Sequence, residues 1–269
     1  MSYSQKLRNL FPDIALNWED ILLLESFQIK YFPDRIAVKE FAILLHTYPV
    51  LYRFLVSKYP PIKAFLTGIL EENDPVVDKA MIEEQCQEAL WEIADLIIYN
   101  KHPEQFDAQA PIRWEIDEIT SITSLEGKVV ADVGAGSGRI AFMVASHVLT
   151  VFAVEPLASF RTFMKEKALE KGMKNIFITD GTLDSIPLPD KSLDVLLTSN
   201  AIGWKLEEEL QEIERVLRSG GHAIHLLRST EKQEFAFHQT LISSPWDYIC
   251  QEKESVDQWK LIYHKNMKH

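Results

Sequence analysis

The sequence predicts an α/β domain over residues 111–269, preceded by an all-helical domain over residues 1–110. Three observations carry that prediction. Before Pro111, apolar residues recur three or four apart, with Gly68 the only glycine and no alternating pattern of the kind a half-buried strand requires. After Lys128, short β-branched runs alternate with amphipathic stretches, the pattern of strands and their covering helices. At the junction, residues 128–142 read KVVADVGAGSGRIAF: an apolar run broken by Asp132, alternate glycines at 134, 136 and 138, then apolar residues at helical spacing.

Prolines divide the first domain. Asn17 precedes WEDILLL, an N-cap ahead of acids in a first turn, and Pro33-Asp34 opens a second helix running through Phe41 and Leu45. Pro49, Pro60 and Pro61 mark off two short helices. Asp74-Pro75 then starts the longest one, a capping acid with proline at the first helical position. Val77, Met81, Leu90, Ile93, Ala94 and Ile97 give it one apolar face as far as about Tyr99. Aromatic residues crowd the domain: Phe11, Trp18, Phe27, Tyr31, Phe32, Phe41, Tyr48, Tyr52, Phe54, Tyr59 and Phe65. Rings at helical spacing pack against one another in a core; the alternative is that some line a substrate pocket. Residues 100–111, NKHPEQFDAQAP, lose periodicity and carry two prolines, which marks a linker, and residues 112–124 read as a further helix.

A turn as sharp as the glycine run needs positive φ, and backbone without Cβ lets a ligand lie directly against the chain, so a nucleotide-like ligand is expected there. The spacing rules out related motifs. A dinucleotide fingerprint needs glycine or alanine where Arg139 stands, no Gly-Lys-Ser/Thr follows for a phosphate loop, and Ala135 and Arg139 occupy the glycine positions of a nucleophile elbow around Ser137. A helix over 139–148 leads to a buried strand over 150–154, ending at Glu155-Pro156. Glu155 lies 19 residues beyond Gly136, near where a carboxylate in such βαβ units accepts hydrogen bonds from ribose hydroxyls; otherwise it is a solvated charge at a strand end. A helix over 157–171 stops at Gly172, a third strand covers 175–179, and Asp180-Gly181-Thr182 turns the chain. A fourth strand follows Asp194 and ends at Asn200-Ala201-Ile202-Gly203-Trp204, and an acidic amphipathic helix spans 206–217. The fifth strand covers 223–227, a helix is expected over 231–241, and strands at 248–251 and 259–263 close the chain. His222 and His225, three apart on the fifth strand, point to opposite faces and cannot share a metal.

Asp132-Val133-Gly134-Ala135-Gly136-Ser137-Gly138 resembles the first motif of the class I S-adenosylmethionine-dependent methyltransferases. Ile186-Pro187-Leu188-Pro189-Asp190, ahead of Asp194 and its apolar run, is similar to their fourth-strand signature. Arg215-Val216-Leu217-Arg218-Ser219-Gly220-Gly221 resembles their double-glycine turn, with Ser219 where proline is usual. The resemblance covers about residues 112–266, and within the family it is nearest the ubiquinone/menaquinone-biosynthesis group. It implies a Rossmann-like, mostly parallel seven-stranded sheet with helices on both faces, and S-adenosylmethionine as cofactor. It also implies roles. The methionine portion would rest on Gly134, Ala135, Gly136 and Gly138 with Asp132 beneath; Glu155, beside Pro156, would hold the ribose; Asp180, Gly181 and Thr182 would flank the adenine; Asn200 would close the site near the sulfonium. The family commonly has an acid where Thr182 stands, so the Thr182 hydroxyl or Asp180 must meet the adenine amino group. Trp204 and Arg228 are candidate substrate contacts, with packing and surface charge as the alternative. No residue is singled out as catalytic. A nicotinamide-dependent oxidoreductase and a non-catalytic cofactor-binding interaction protein are the competing functions.

Composition narrows the partners. The apolar content of 46% is ordinary for a globular protein, no apolar run approaches the roughly 20 residues that span a bilayer, and the first residues lack the apolar centre of a signal peptide, so the cytoplasm is expected. Cys86 and Cys250 have no metal-ligand spacing and form no disulfide framework. The net charge is −12, and 11 Lys and Arg against 21 Asp and Glu precede Lys128, so most of the excess lies ahead of the glycine strand. Nucleic-acid affinity rests on neutralising phosphates, which leaves a small molecule as the expected acceptor, with a basic protein as the alternative. The helical domain is expected to serve as a lid or to form a homodimer.

Overall fold

The computed structural model describes residues 2–73, 79–109, 114–229, 235–255 and 258–267. The chain divides into two compact units, Met1–Gln109 and Ala110–His269.

The first unit is helical. It comprises α1 (Tyr3–Leu10), a 3₁₀ helix (Trp18–Leu23), α2 (Ser26–Ile29), α3 (Phe32–Arg35), α4 (Val38–Thr47), α5 (Pro49–Lys58), a 3₁₀ turn (Pro60–Ile62), α6 (Lys63–Glu72), α7 (Lys79–Glu92), α8 (Ala94–Lys101) and α9 (Pro103–Ala108). Its aromatic side chains pack mainly on one another and on aliphatic neighbours. Phe11, Phe32 and Phe41 are buried with Leu44, Leu51 and Leu55, Trp18 stacks on Tyr48 at 4.8 Å, and Phe32 meets Phe41 edge-on at 5.4 Å. The Arg35 guanidinium holds both oxygens of Asp95, at 2.8 and 2.7 Å, and so ties α3 to α8.

Helix boundaries in this unit depart from the sequence reading. Asn17 caps a 3₁₀ helix, its N–H donating to Asp20 Oδ2 at 2.8 Å. The helix expected from Pro33 through Leu45 is two, because Ile36 is extended, with φ −82 and ψ 144. The start of the long helix, Asp74-Pro75 with Val77, lies outside the described residues; the remainder breaks at Ile93, and Met81 is exposed rather than on the apolar face. Beyond the break, Ala94, Leu96, Ile97 and Ile98 are all buried, so the segment has no solvent face to set a helical period. The expected linker contains α9: His102 ends α8, Pro103 takes the first position of the next helix, and Phe106 packs edge-on against Tyr99 at 4.7 Å.

The second unit is built on β1 (Val129–Val133), β2 (Thr150–Val154), β3 (Ile176–Thr179), β4 (Leu193–Ser199), β5 (Leu217–Ser229), β6 (Ile249–Ser255) and β7 (Gln258–Asn266). They form one sheet in the order β3-β2-β1-β4-β5-β7-β6, with β1 to β5 parallel and β7 antiparallel between β5 and β6. The helices are α10 (Ile116–Thr120), α11 (Arg139–Val144), α12 (Ala158–Glu170), α13 (Leu206–Val216) and α14 (His238–Ile242). Alternation along the strands supplies two cores. Val130, Val195, Ile224 and Ile262 pack with Ile140, Ala141 and Val144 of α11 and Met164 of α12. Ala131, Leu196, Ala223 and Leu261 pack with Leu210, Ile213 and Val216 of α13 and Leu241 of α14. The strand order reverses between β1 and β4, where a doubly wound sheet leaves a crevice at its carboxyl edge.

Here each expected strand is present, β5, β6 and β7 being longer than expected, while some helices are shorter. Of the helix expected over 112–124, residues 112 and 113 lie outside the described residues and α10 covers five residues, its cap formed by the Glu115 N–H donating to Glu118 at 2.8 Å. Lys260 Nζ lies 3.0 Å from both Glu118 oxygens and 4.6 Å from the Trp114 ring centre, anchoring α10 to β7. α11 stops at Val144 and passes into a 3₁₀ turn, Ala145–His147. The double-glycine turn is a bulge inside β5: register jumps from Leu193 opposite Leu217 to Val195 opposite His222, and the Gly220 N–H donates to the Met267 carbonyl at 2.7 Å. The tail helix begins later than expected, at His238, with residues 230–234 outside the described set. No described helix is long and apolar enough to cross a membrane.

Candidate functional site

β1 runs into Gly134, Gly136 and Gly138, which adopt φ values of 71, 55 and 83. Packing fixes the outer two. A Cβ on Gly134 would lie 2.4 Å from Ala201 Cβ, and one on Gly138 would lie 2.8 Å from Met164 Sδ. A Cβ on Gly136 would meet nothing within 4 Å, so its bare backbone faces open space in which a ligand can lie. The Gly134 and Ala135 N–H groups both donate to the Val154 carbonyl, at 2.9 and 3.1 Å, which pins the turn to the end of β2.

Two carboxylates flank this turn. Glu155 is buried, its Oε2 accepting from the Gly136 N–H at 2.7 Å and its Oε1 from the Leu157 N–H at 3.0 Å. It is therefore not a solvated charge, and its two oxygens offer about four acceptor sites in all. Asp132 Oδ2 accepts from the Ala141 N–H of α11 at 2.9 Å, whereas Oδ1 is buried with no hydrogen-bond partner. Desolvation pushes the Asp132 carboxyl up to about 7, and the nearby Glu155 charge adds to the shift.

Arg161 of α12 clasps the ends of β2 and β3. Its Nη1 donates to the Glu155 and Pro156 carbonyls at 2.8 and 2.6 Å and to Asp180 Oδ1 at 3.1 Å, leaving Asp180 largely exposed. At Gly181 a Cβ would meet Pro187 Cδ at 2.6 Å and Val154 Cγ1 at 2.8 Å, so no side chain fits. The Thr182 side chain bonds to Asp184, which also receives Lys205 Nζ at 2.6 Å. Burial opposes ionisation of Asp184, but these bonds hold its carboxyl below the usual range.

Asn200 sits at the end of β4 with φ 53; its N–H donates to the Leu226 carbonyl at 3.1 Å and its Oδ1 accepts from the Arg228 N–H at 3.0 Å. The loop beyond it is held by Glu209, a buried carboxylate that accepts from the Gly203, Trp204 and Lys205 N–H groups at 2.7, 3.0 and 3.0 Å. Trp204 itself is 57% exposed. Asp132, the glycine turn, Glu155, Pro156, Asp180, Gly181, Thr182, Asn200, Trp204 and Arg228 thus all stand at or just beyond the carboxyl ends of β1 to β5. The two histidines have separate surroundings. Fully buried His225 lies 2.9 Å from Thr198 Oγ1 and 3.3 Å from the Tyr248 hydroxyl, and burial pushes it down to about 3, so it is neutral; His222 Nε2 lies 2.9 Å from Asn266 Nδ2.

Sequence reasoning missed Arg161, Asp184 and Glu209. Asp184 had a weak signal, being two residues from a position expected to be acidic. Glu209 had a better one, since it falls in phase with Leu206, Ile213 and Val216 on the buried stripe of α13.

The geometry fits an adenosyl cofactor with an amino-acid tail: bare backbone at Gly136, acceptor capacity on Glu155, and an unpartnered oxygen on Asp132. Comparison with known proteins agrees. Residues 131–225 match the methyltransferase domain family. The chain is 24% identical over 143 residues to the uncharacterized methyltransferase YcgJ of Bacillus subtilis, covering 51% of this chain and 55% of that protein. It is 30% identical over 96 residues to an uncharacterized methyltransferase of a Geobacillus species, covering 36% of this chain and 43% of that one. The chain thus spans about half the length of these relatives. The crystal structure of a SAM-dependent methyltransferase from Aquifex aeolicus shares the fold, with a TM-score of 0.51 at 18% identity over 60% of this chain and 97% of that one.

Proposed function

We propose that this chain, which carries a class I S-adenosylmethionine-dependent methyltransferase domain in its second unit and takes S-adenosylmethionine as cofactor, methylates a small, largely apolar molecule. The observation that carries the reading is the pairing of Glu155 with the glycine turn, which puts a buried carboxylate beside open backbone at the sheet's topological switch. Asp132, Gly134, Ala135, Gly136 and Gly138 would receive the methionine portion, and Glu155 and Pro156 the ribose. Asp180, Gly181 and Thr182 would border the adenine, with Asn200 near the sulfur. When bound, the cofactor supplies a methyl group already activated on a sulfonium, which an acceptor nucleophile can displace directly.

The chain's own contribution is then placement and exclusion of water, since holding reactants in line lowers the barrier without a catalytic triad. Trp204 and Arg228 are assigned to the acceptor side, because the loop bearing Trp204 is fixed by Glu209 while its indole stays exposed. The acidic charge disfavours nucleic acid and supports a small acceptor, of which a quinone-like ring is one instance. We assign the first unit to covering the acceptor, with dimerisation as the competing role.

Thermal unfolding tests the cofactor. S-adenosylmethionine or S-adenosylhomocysteine at about 100 times its dissociation constant should add about 2.7 kcal/mol and raise the melting temperature by about 5–10 °C, with no shift from NAD. A shift from NAD and none from either adenosyl compound would sink the assignment.

A further inference from the structure

Asp132 is more than a floor to the glycine turn. Its neighbours Ala131 and Val133 face the core shared with α13 and α14, so its side chain lies on the opposite face, against α11. There Oδ2 is satisfied by the Ala141 N–H, and Oδ1 has no partner at 1% residue exposure. The strands on either side offer nothing to it, since the residues in register are Ala153 on β2 and Leu197 on β4. α11 contributes the Ala141 amide, with Arg139 at its first position, and the charge acting on Asp132 is that of Glu155 beyond β2. Two buried carboxylates so close cannot both ionise without cost. The two backbone N–H groups that Glu155 receives favour its charged form, whereas the unpartnered oxygen of Asp132 favours its neutral form.

We infer that Asp132 is a proton-exchange site for the cofactor: its carboxyl is protonated in the free protein and loses that proton to solvent when the cofactor's α-ammonium donates to Oδ1. This rests on the cofactor reading above. The exchange balances, because the ammonium keeps its protons, the carboxyl O–H bond breaks, and the buffer takes the proton released. Affinity for a ligand bearing the ammonium therefore rises with pH until the free carboxyl is ionised, and affinity for one without it does not.

Calorimetry on the full chain, in paired buffers of different ionisation enthalpy, counts the protons. With the free carboxyl at about 7, S-adenosylhomocysteine should release about 0.9 proton per site at pH 6 and bind about tenfold more tightly at pH 8. 5′-Methylthioadenosine, which keeps the adenine, ribose and thioether but has no amino-acid tail, should release none. Asp132→Asn should bind S-adenosylhomocysteine without proton release and with a flat pH profile. Equal release by the two ligands, or S-adenosylhomocysteine binding in wild type with no release, overturns the inference while leaving the cofactor in place. Failure of both ligands to bind overturns the cofactor reading and the inference with it.

Discussion

Glu155 accepts from backbone N–H groups of the glycine turn and of the segment after β2, so one carboxylate shapes the turn and stands beside the open backbone at Gly136. Replacing it with alanine removes bonds to a charged group, each worth about 1.5–3 kcal/mol. Glu155→Ala should therefore weaken S-adenosylhomocysteine binding by about 2–3 kcal/mol in a chain that still folds, measured by calorimetry. Unchanged affinity would mean that the carboxylate only braces the turn. Asp132 adds a pH dependence of its own. Its folded carboxyl lies near 7 against about 4 in an unfolded chain, so between those values the native state holds a proton that the unfolded state has lost. Stability of the cofactor-free protein should fall as pH rises through that window, by at most about 4 kcal/mol from this group. His225 acts oppositely: its folded value is lowered to about 3, so its contribution is present above about 6.5 and is lost as pH falls. The two separate by difference. Asp132→Asn should gain stability over wild type at pH 8 and little at pH 4.5, and an equal difference at both, by urea unfolding, would refute the buried titration.

Elements differ in how far the sequence betrays them, and the reason is burial. β1, β2 and β4 are short runs rich in valine or leucine with both faces covered, so composition alone places them, and the glycine turn follows from the φ values its chemistry requires. The position of Glu155 at the end of β2 was equally legible, because its spacing from the glycines is set by one βαβ unit, whereas Asp132 was marked only by the resemblance of its motif. Helix ends were not. α8 is buried on nearly every side, which erases the period that marks a helix, and Ile36 and Ile93 interrupt helices through backbone conformation that no local signal announces. Arg161 was invisible for another reason: its work is done on carbonyls, which every residue has. In the run of Glu207, Glu208 and Glu209, helical phase distinguishes the one that turns inward to hold the loop after β4.

Across the whole molecule, secondary structure separates the units: the first is helical and the second is built on a sheet. The first has its own core of buried leucine, isoleucine and phenylalanine, and the second has two cores on the faces of its sheet, so each has the means to fold alone. Among the described residues of the second unit no long insertion between strands could enclose an acceptor, and water must be kept from the reacting centre. That is the argument for assigning the first unit to the acceptor, as a cover that completes the site on closing. A chain beginning at Asp107 separates this role from dimerisation. It should stay folded and bind S-adenosylhomocysteine as tightly as the full chain, because every residue assigned to the cofactor lies beyond that point, yet lose each methyl transfer found for the full chain. Were the helices only a dimer interface, the shortened chain would change mass in sedimentation while transferring methyl groups to the same acceptor at an undiminished rate. That outcome would end the covering hypothesis and leave the cofactor assignment untouched.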